Sequence, residues 1–285
     1  MNWMETISTA IAYIEAHITE DITVKEVGEY VHTSPLYFQK GFSILCGYTV
    51  SEYIRNRRLT LAGKELLQPG TKVIDTALKY GYDSPDSFTK AFFRFHGCTP
   101  AELKSAGAAL KSFAPLHIEL SLKGGFMMDC RIVEKKAFAV IGASKIIPYD
   151  EGTTQCPAFW DEHFSSGRGK YVCGMYGICF DEKMEGDTFK YMIADDYNAA
   201  MPVPEGFEAV TIPALTWAVF PSKGPLPRTL QETTQRAFSE WLPGNSEYQV
   251  AAGYSVEFYT DVSKYPKGGQ DENYYCELWI PVKRA

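Results

Sequence analysis

The sequence predicts two domains: an all-helical unit built on a tandem helix-turn-helix, then an α+β unit of two pseudo-repeated halves with antiparallel sheets. Three observations predict this. A stretch near the N-terminus recurs without a gap 50 residues later, helical periodicity lapses after Ala106, and from Met127 the chain breaks into short alternating runs that repeat in order. With 285 residues, 45% of them hydrophobic, the chain is long enough for two cores. The expected boundaries are 1–108 for the helical unit, 109–126 for a connector and 127–285 for the second unit.

The repeat lays SPLYFQKGFSILCGYT, Ser34 to Thr49, over SPDSFTKAFFRFHGCT, Ser84 to Thr99. Upstream the register continues with Val24 over Ile74, Val27 over Ala77 and Tyr30 over Tyr80, so each copy reads as helix, turn, helix. The second helix of each copy opens with Ser as N-cap and Pro at the first helical position, which favours an abrupt start. Phe88, Ala91, Phe92 and Phe95 fall at i, i+3, i+4 and i+7 and form one buried stripe. The other side then faces out, with Pro85, Asp86, Ser87, Thr89, Lys90 and Arg94 in the second copy and Leu36, Tyr37, Gln39 and Lys40 in the first. Such groups hydrogen-bond bases and phosphates.

Between the copies, Ser51 to Gln68 keeps helical periodicity and carries Arg55, Arg57, Arg58 and Lys64. A helix of about 17 residues holds two units roughly 25 Å apart. That approaches the ~34 Å turn of B-DNA once the widths of the units are added, so both second helices can enter successive major grooves on one face. Through residue 110 the chain has 11 Lys and Arg against 12 Asp and Glu, so affinity must come from local clustering and should be salt-sensitive.

In the second unit the runs MMDCRIVE, AFAVIGASKII, YVCGMYGICF and FKYMIADD read as strands, with a helix in QCPAFWDEHFSSG. FEAVTIP, LTWAVFPSKG, a helix within TLQETTQRAFSEWL, YSVEFYT and YYCELWIPVK then follow in the same order. Two such halves side by side leave a cleft. Alternation puts Glu277 on the strand face of Tyr275 and Trp279, and Glu257 on that of Ser255 and Tyr259. A carboxylate beside aromatic rings suits a lipophilic or cationic ligand, whereas a solvated sheet face is the other reading of either glutamate.

The run VIDTALKYGYDSPDSFTKAFFRFHGCTPAEL, Val73 to Leu103, resembles the signature of the AraC/XylS family of bacterial transcription regulators, a likeness that extends over roughly residues 5 to 106. It implies a homeodomain-like tandem helix-turn-helix. Leu36, Gln39 and Lys40 become the base-facing residues of the first recognition helix, and Pro85, Asp86, Ser87, Thr89 and Lys90 those of the second, with Arg55 and Arg94 as further contacts. Asp86 departs from such a role, because a carboxylate accepts only from groups such as cytosine N4 and is repelled by phosphate.

From about Met127 to Lys283 the chain resembles the GyrI-like effector-binding domain, ELWIPVK being the most recognisable piece. The order of domains is that of Rob-type regulators. The resemblance implies a strand glutamate at the centre of an aromatic pocket, Glu257 or Glu277, with Trp217, Tyr259, Tyr275, Trp279, Phe138 and Trp160 as walls. The expectation is a cytoplasmic, multidrug-type regulator of promoter DNA that senses a small molecule and contacts RNA polymerase, rather than an enzyme. A hydrolase using Glu257 and Glu277 as acid and base, or a drug-sequestering protein, is the alternative.

Other chemistry finds little support. The five His show no HxxxH or HExxH spacing, so neither a metal nor a cofactor is expected. The 7 Cys are odd in number and contain no CxxC pair, which fits free thiols. The N-terminus lacks the pattern of a secretory signal, and no apolar run approaches the roughly 20 residues of a membrane span. The net charge of −7 argues against a protein coated in positive potential.

Overall fold

Capping chemistry sets the boundaries of the helices in the first hundred residues. A computed structural model describes residues 3–106, 110–117, 128–181 and 187–285, and the first of these segments forms α1 (Trp3–Ala16), α2 (Val24–Tyr30), α3 (Pro35–Cys46), α4 (Val50–Leu66), α5 (Val73–Lys79), α6 (Pro85–His96) and α7 (Pro100–Ala106). Ser34 and Ser84 accept hydrogen bonds from the amides of Tyr37 and Ser87, and Gly47 and Gly97 end α3 and α6 with φ of 75° and 83°. Thr49 with Glu52 forms a capping box on α4, and Thr99 exchanges the same bonds with Glu102, so the 50-residue repeat extends into its caps.

α4 serves two cores. Val50, Tyr53 and Ile54 pack with Ile7, Val27, Phe38 and Phe42, whereas Leu59, Ala62 and Leu66 pack with Ala77, Phe88, Phe92 and Leu103. The basic face expected on α4 is only partly present. Arg57 turns inward, its Nε and Nη2 each 2.7 Å from a Glu15 carboxylate oxygen, and Arg58 donates to the carbonyls of Ile18 and Glu20. Burial raises the Glu15 pKa, but the hydrogen bonds from Arg57 and Tyr53 outweigh it and hold the carboxyl below its ordinary value. Arg55 and Lys64 remain exposed.

Of the connector expected over 109–126, residues 110–117 run along α4 without regular structure, with Phe113 N donating to Thr60 Oγ1 at 3.0 Å. Residues 109 and 118–126 lie outside the described residues.

The rest forms β1 (Arg131–Lys135), β2 (Phe138–Pro148), α8 (Gly152–Ser165), β3 (Tyr176–Phe180), β4 (Thr188–Asp196), β5 (Glu208–Ile212), β6 (Leu215–Lys223), α9 (Arg228–Arg236), β7 (Tyr248–Val250), β8 (Tyr254–Tyr259) and β9 (Tyr275–Arg284). A π-helical segment, Ala237–Trp241, continues α9. The two halves merge into one antiparallel sheet of order β1-β6-β9-β8-β3-β4-β2-β5, with β7 paired to β9. Each half lends its first strand to the other: β1 pairs with β6, and β5 with β2.

The sheet buries both faces. One carries Tyr191, Ile193, Phe220, Cys276, Leu278 and Ile280 in a core continuous with that of α1 to α3. The other buries Val140, Met192, Trp217, Val256 and Trp279. No helix among the described residues is long and apolar enough to cross a membrane.

Candidate functional site

The second recognition helix presents its polar side as its period requires. Phe88, Ala91 and Phe92 of α6 are buried, whereas Pro85, Asp86, Ser87, Lys90 and Arg94 are exposed and Thr89 is half-buried. Arg55 lies near the junction of the two helical units, lining a cleft of about 250 Å³ with Arg58, Tyr80, Gly81 and Tyr82.

The first recognition helix differs. No residue of α3 is exposed. Leu36 and Gln39, expected to face outward, are 6% and 4% exposed, and Lys40 is half-buried. Gln39 turns back into its own unit, donating to Ser43 Oγ and accepting from Val50 N, both at 3.3 Å. The outward side of α3 is covered by the sheet domain. Asp181 accepts from Ser34 Oγ at 2.5 Å and from Leu36 N at 2.8 Å, the Tyr37 hydroxyl donates to Tyr254 O at 2.6 Å, and the Tyr37 ring stacks on Phe238 at 5.8 Å. Trp3 of α1 covers Gly41, where an added Cβ would lie 2.0 Å from the indole.

On the sheet face against which α3 packs, aromatic side chains gather around Glu257. Tyr259 and Tyr191 donate to Glu257 Oε2 at 2.9 and 3.2 Å, and Trp160 of α8 donates from Nε1 to the Tyr191 hydroxyl at 2.8 Å. The Trp160 and Tyr259 rings meet edge to face at 5.3 Å. Burial and then the Glu257 charge push the hydroxyls of Tyr191 and Tyr259 well above their ordinary pKa, so both remain donors to the carboxylate. Burial likewise raises the Cys156 thiol to about 12 and pushes the Cys179 thiol well above its ordinary value. Among the described residues no cation lies within ion-pair distance of Glu257.

Glu277 faces the other way. In the β8–β9 register Phe258 opposes Glu277 and Glu257 opposes Leu278, which turns the two carboxylates to opposite sheet faces. Glu277 is 8% exposed and fully engaged: Arg131 pairs with it, and Tyr275 and Trp279 each donate at 2.6 Å. Trp217, Tyr275, Trp279 and Phe138 belong to this reverse face, where Lys135 Nζ stands 4.0 Å from the Trp279 ring centroid. The residues expected around one pocket therefore form two groups on opposite faces: Glu257, Tyr259 and Trp160 on one, and Glu277, Trp217, Tyr275, Trp279 and Phe138 on the other. The two carboxylates named in the hydrolase alternative thus stand on opposite faces of the sheet.

Residues 131–282 match the family model described as an integron-associated effector binding protein, and residues 27–106 match that of a helix-turn-helix domain. The chain is 35% identical over 95 residues to the HTH-type transcriptional activator AarP of Providencia stuartii, covering 33% of this chain and 70% of that protein. It is 33% identical over 104 residues to the regulatory protein SoxS of Salmonella typhimurium, covering 36% of this chain and 97% of SoxS. The chain belongs to the AraC-type regulators, with an integron-associated, GyrI-like effector-binding domain at its C-terminus. It is a ligand-sensing, DNA-binding regulator. A solved putative transcription regulation protein from Staphylococcus aureus MU50 resembles this regulator with a TM-score of 0.47 and 18% identity, covering 55% of this chain and 99% of that one.

Sequence reasoning missed three parts of this face of the AraC-type regulator: Tyr191, Gly177 and the docked helix α3. Tyr191 had a usable signal, since strand alternation across Tyr191, Ile193 and Asp195 puts an aromatic hydroxyl on a buried face. Gly177 sits opposite Glu257 in the β3–β8 register, and a Cβ there would lie 2.4 Å from the Tyr191 hydroxyl and 3.0 Å from Glu257 Oε2.

Proposed function

We propose that this regulator is a cytoplasmic multidrug-type sensor that binds an aromatic, lipophilic cation at Glu257 and couples that binding to promoter recognition by α3 and α6, with RNA polymerase as a further partner. The observation that carries the reading is a carboxylate set among Tyr191, Tyr259 and Trp160 with no cationic partner within ion-pair distance among the described residues. A charge so placed gains most from a ligand that offers both a positive charge and a flat apolar surface. Glu277, already paired with Arg131, lacks that need. On the DNA side, Lys90 and Arg94 of α6, with Arg55, supply phosphate contacts, while Ser87 and Thr89 reach toward base edges.

Calorimetric titration with tetraphenylphosphonium tests the anchor. Glu257→Gln should weaken binding roughly 10-fold or more, a loss of at least ~1.4 kcal/mol, whereas Glu277→Gln should leave it within about twofold. Equal loss in both variants, or none in Glu257→Gln, would overturn the assignment.

A further inference from the structure

Two copies of one repeat meet opposite fates in this molecule. α6 shows five polar or small residues to solvent, while α3 has no exposed residue from Pro35 to Cys46. The inward side of α3 packs in its own unit through Phe38 and Phe42, and its outward side lies on the effector domain. A recognition helix reads base edges by entering a major groove about 12 Å wide with its outward side chains leading. α3 cannot do so while it is covered on both sides.

The covering contact is specific. Asp181 receives the N-terminus of α3 through Ser34 Oγ and Leu36 N, a position in which its negative charge also favours the helix dipole. Tyr37 is fully buried between the Phe238 ring and the start of β8. Lys40, one turn further on, stands 5.8 Å from the Phe238 ring centroid. α3 thus packs on the sheet face that carries Tyr191 and Leu278, the face to which the register turns Glu257.

We propose that the effector domain holds α3 back from DNA: docked, α3 hides the first recognition surface, and an aromatic cation bound at Glu257, on the sheet face against which α3 packs, releases α3 to DNA. This rests on the reading of Glu257 as the effector anchor. Undocking exposes Leu36, Tyr37 and Phe238 to water, so the docked form dominates without effector. DNA affinity is then scaled down by the undocked fraction, and effector raises it by restoring that fraction.

Fluorescence anisotropy of the chain's own upstream DNA, with and without tetraphenylphosphonium, tests the release in the wild type, Asp181→Ala and Phe238→Leu. Neither substitution alters an outward residue of α3 or α6, or a hydrogen bond of Glu257. Each variant should bind DNA about 5- to 10-fold more tightly than the wild type without the probe, and gain correspondingly less when it is added. If Asp181→Ala fails to unfold cooperatively, the conservative Phe238→Leu decides. A folded variant with wild-type DNA affinity and wild-type response to the probe overturns the release of α3. Calorimetry on the same proteins keeps the two readings apart. Probe binding that survives alongside unchanged DNA affinity defeats the release alone, whereas failure of the wild type to bind the probe defeats the Glu257 reading and the release with it.

Discussion

Gly177 owes its identity to what lies opposite. The space a side chain would take is filled by the Tyr191 hydroxyl and the Glu257 carboxylate. Gly177→Ala should push the Tyr191 hydroxyl off Glu257 and weaken tetraphenylphosphonium binding about 3- to 10-fold, with the sheet still formed because alanine fits extended backbone. Calorimetry measures the loss, and unchanged affinity would mean that the Tyr191 hydrogen bond does not shape the surroundings of Glu257. Single-residue reasoning reached part of this site. Alternation within one strand correctly set Glu277 beside Tyr275 and Trp279, and Glu257 beside Tyr259. It could not relate one strand to the next, because the face of each strand depends on register, which no single run contains. For that reason eight residues expected to line one pocket divide between two faces of the sheet.

The element scale shows why the helices were more legible than their surroundings. Caps, glycine stops and a 3.6-residue stripe are local, and the Ser-Pro starts of α3 and α6 stand where the repeat put them. The short edge strand β7 lacked enough residues to display a period. The docking of α3 left one trace: Leu36 and Tyr37 occupy positions where the second copy has Asp86 and Ser87. An apolar pair on an outward face fits a buried contact as well as a base contact, so sequence could not separate the two.

Two predictions belong to the second helical unit. Ser84→Ala removes the cap of α6 and should destabilise the chain by about 1 kcal/mol, read as a lowered thermal midpoint. His96 is buried, its Nε2 3.0 Å from Leu59 O and its Nδ1 without a hydrogen-bond partner among the described residues, and burial lowers its pKa from the ordinary 6.5. The unfolded chain takes up this proton at higher pH than the folded one, so the stability His96 contributes is complete above about pH 6.5 and falls as pH drops below it. Urea unfolding near pH 7.5 and near pH 5.5 should show that loss, and His96→Asn should reduce it; an equal slope in the variant would assign the effect to other groups.

At the scale of the whole molecule, the two helical units do not have equal partners. The first shares one continuous core with the helical face of the sheet, from Trp3 and Phe38 through Phe238 to Leu278, whereas the second keeps a core of its own around Phe88 and Phe92. α4 links them, anchored by the buried Arg57–Glu15 pair. In the proposed release, this division leaves α6 free to meet DNA while α3 stays docked on the effector domain. By linkage, an effector that frees α3 must raise DNA affinity by the factor through which DNA raises affinity for the effector. The most direct measurement is therefore the full cycle on the wild-type chain: tetraphenylphosphonium affinity with and without saturating upstream DNA, and DNA affinity with and without saturating tetraphenylphosphonium. Equal and positive coupling is expected in both directions, about 5-fold or more. Absent or negative coupling, with both ligands bound, would contradict the release of α3.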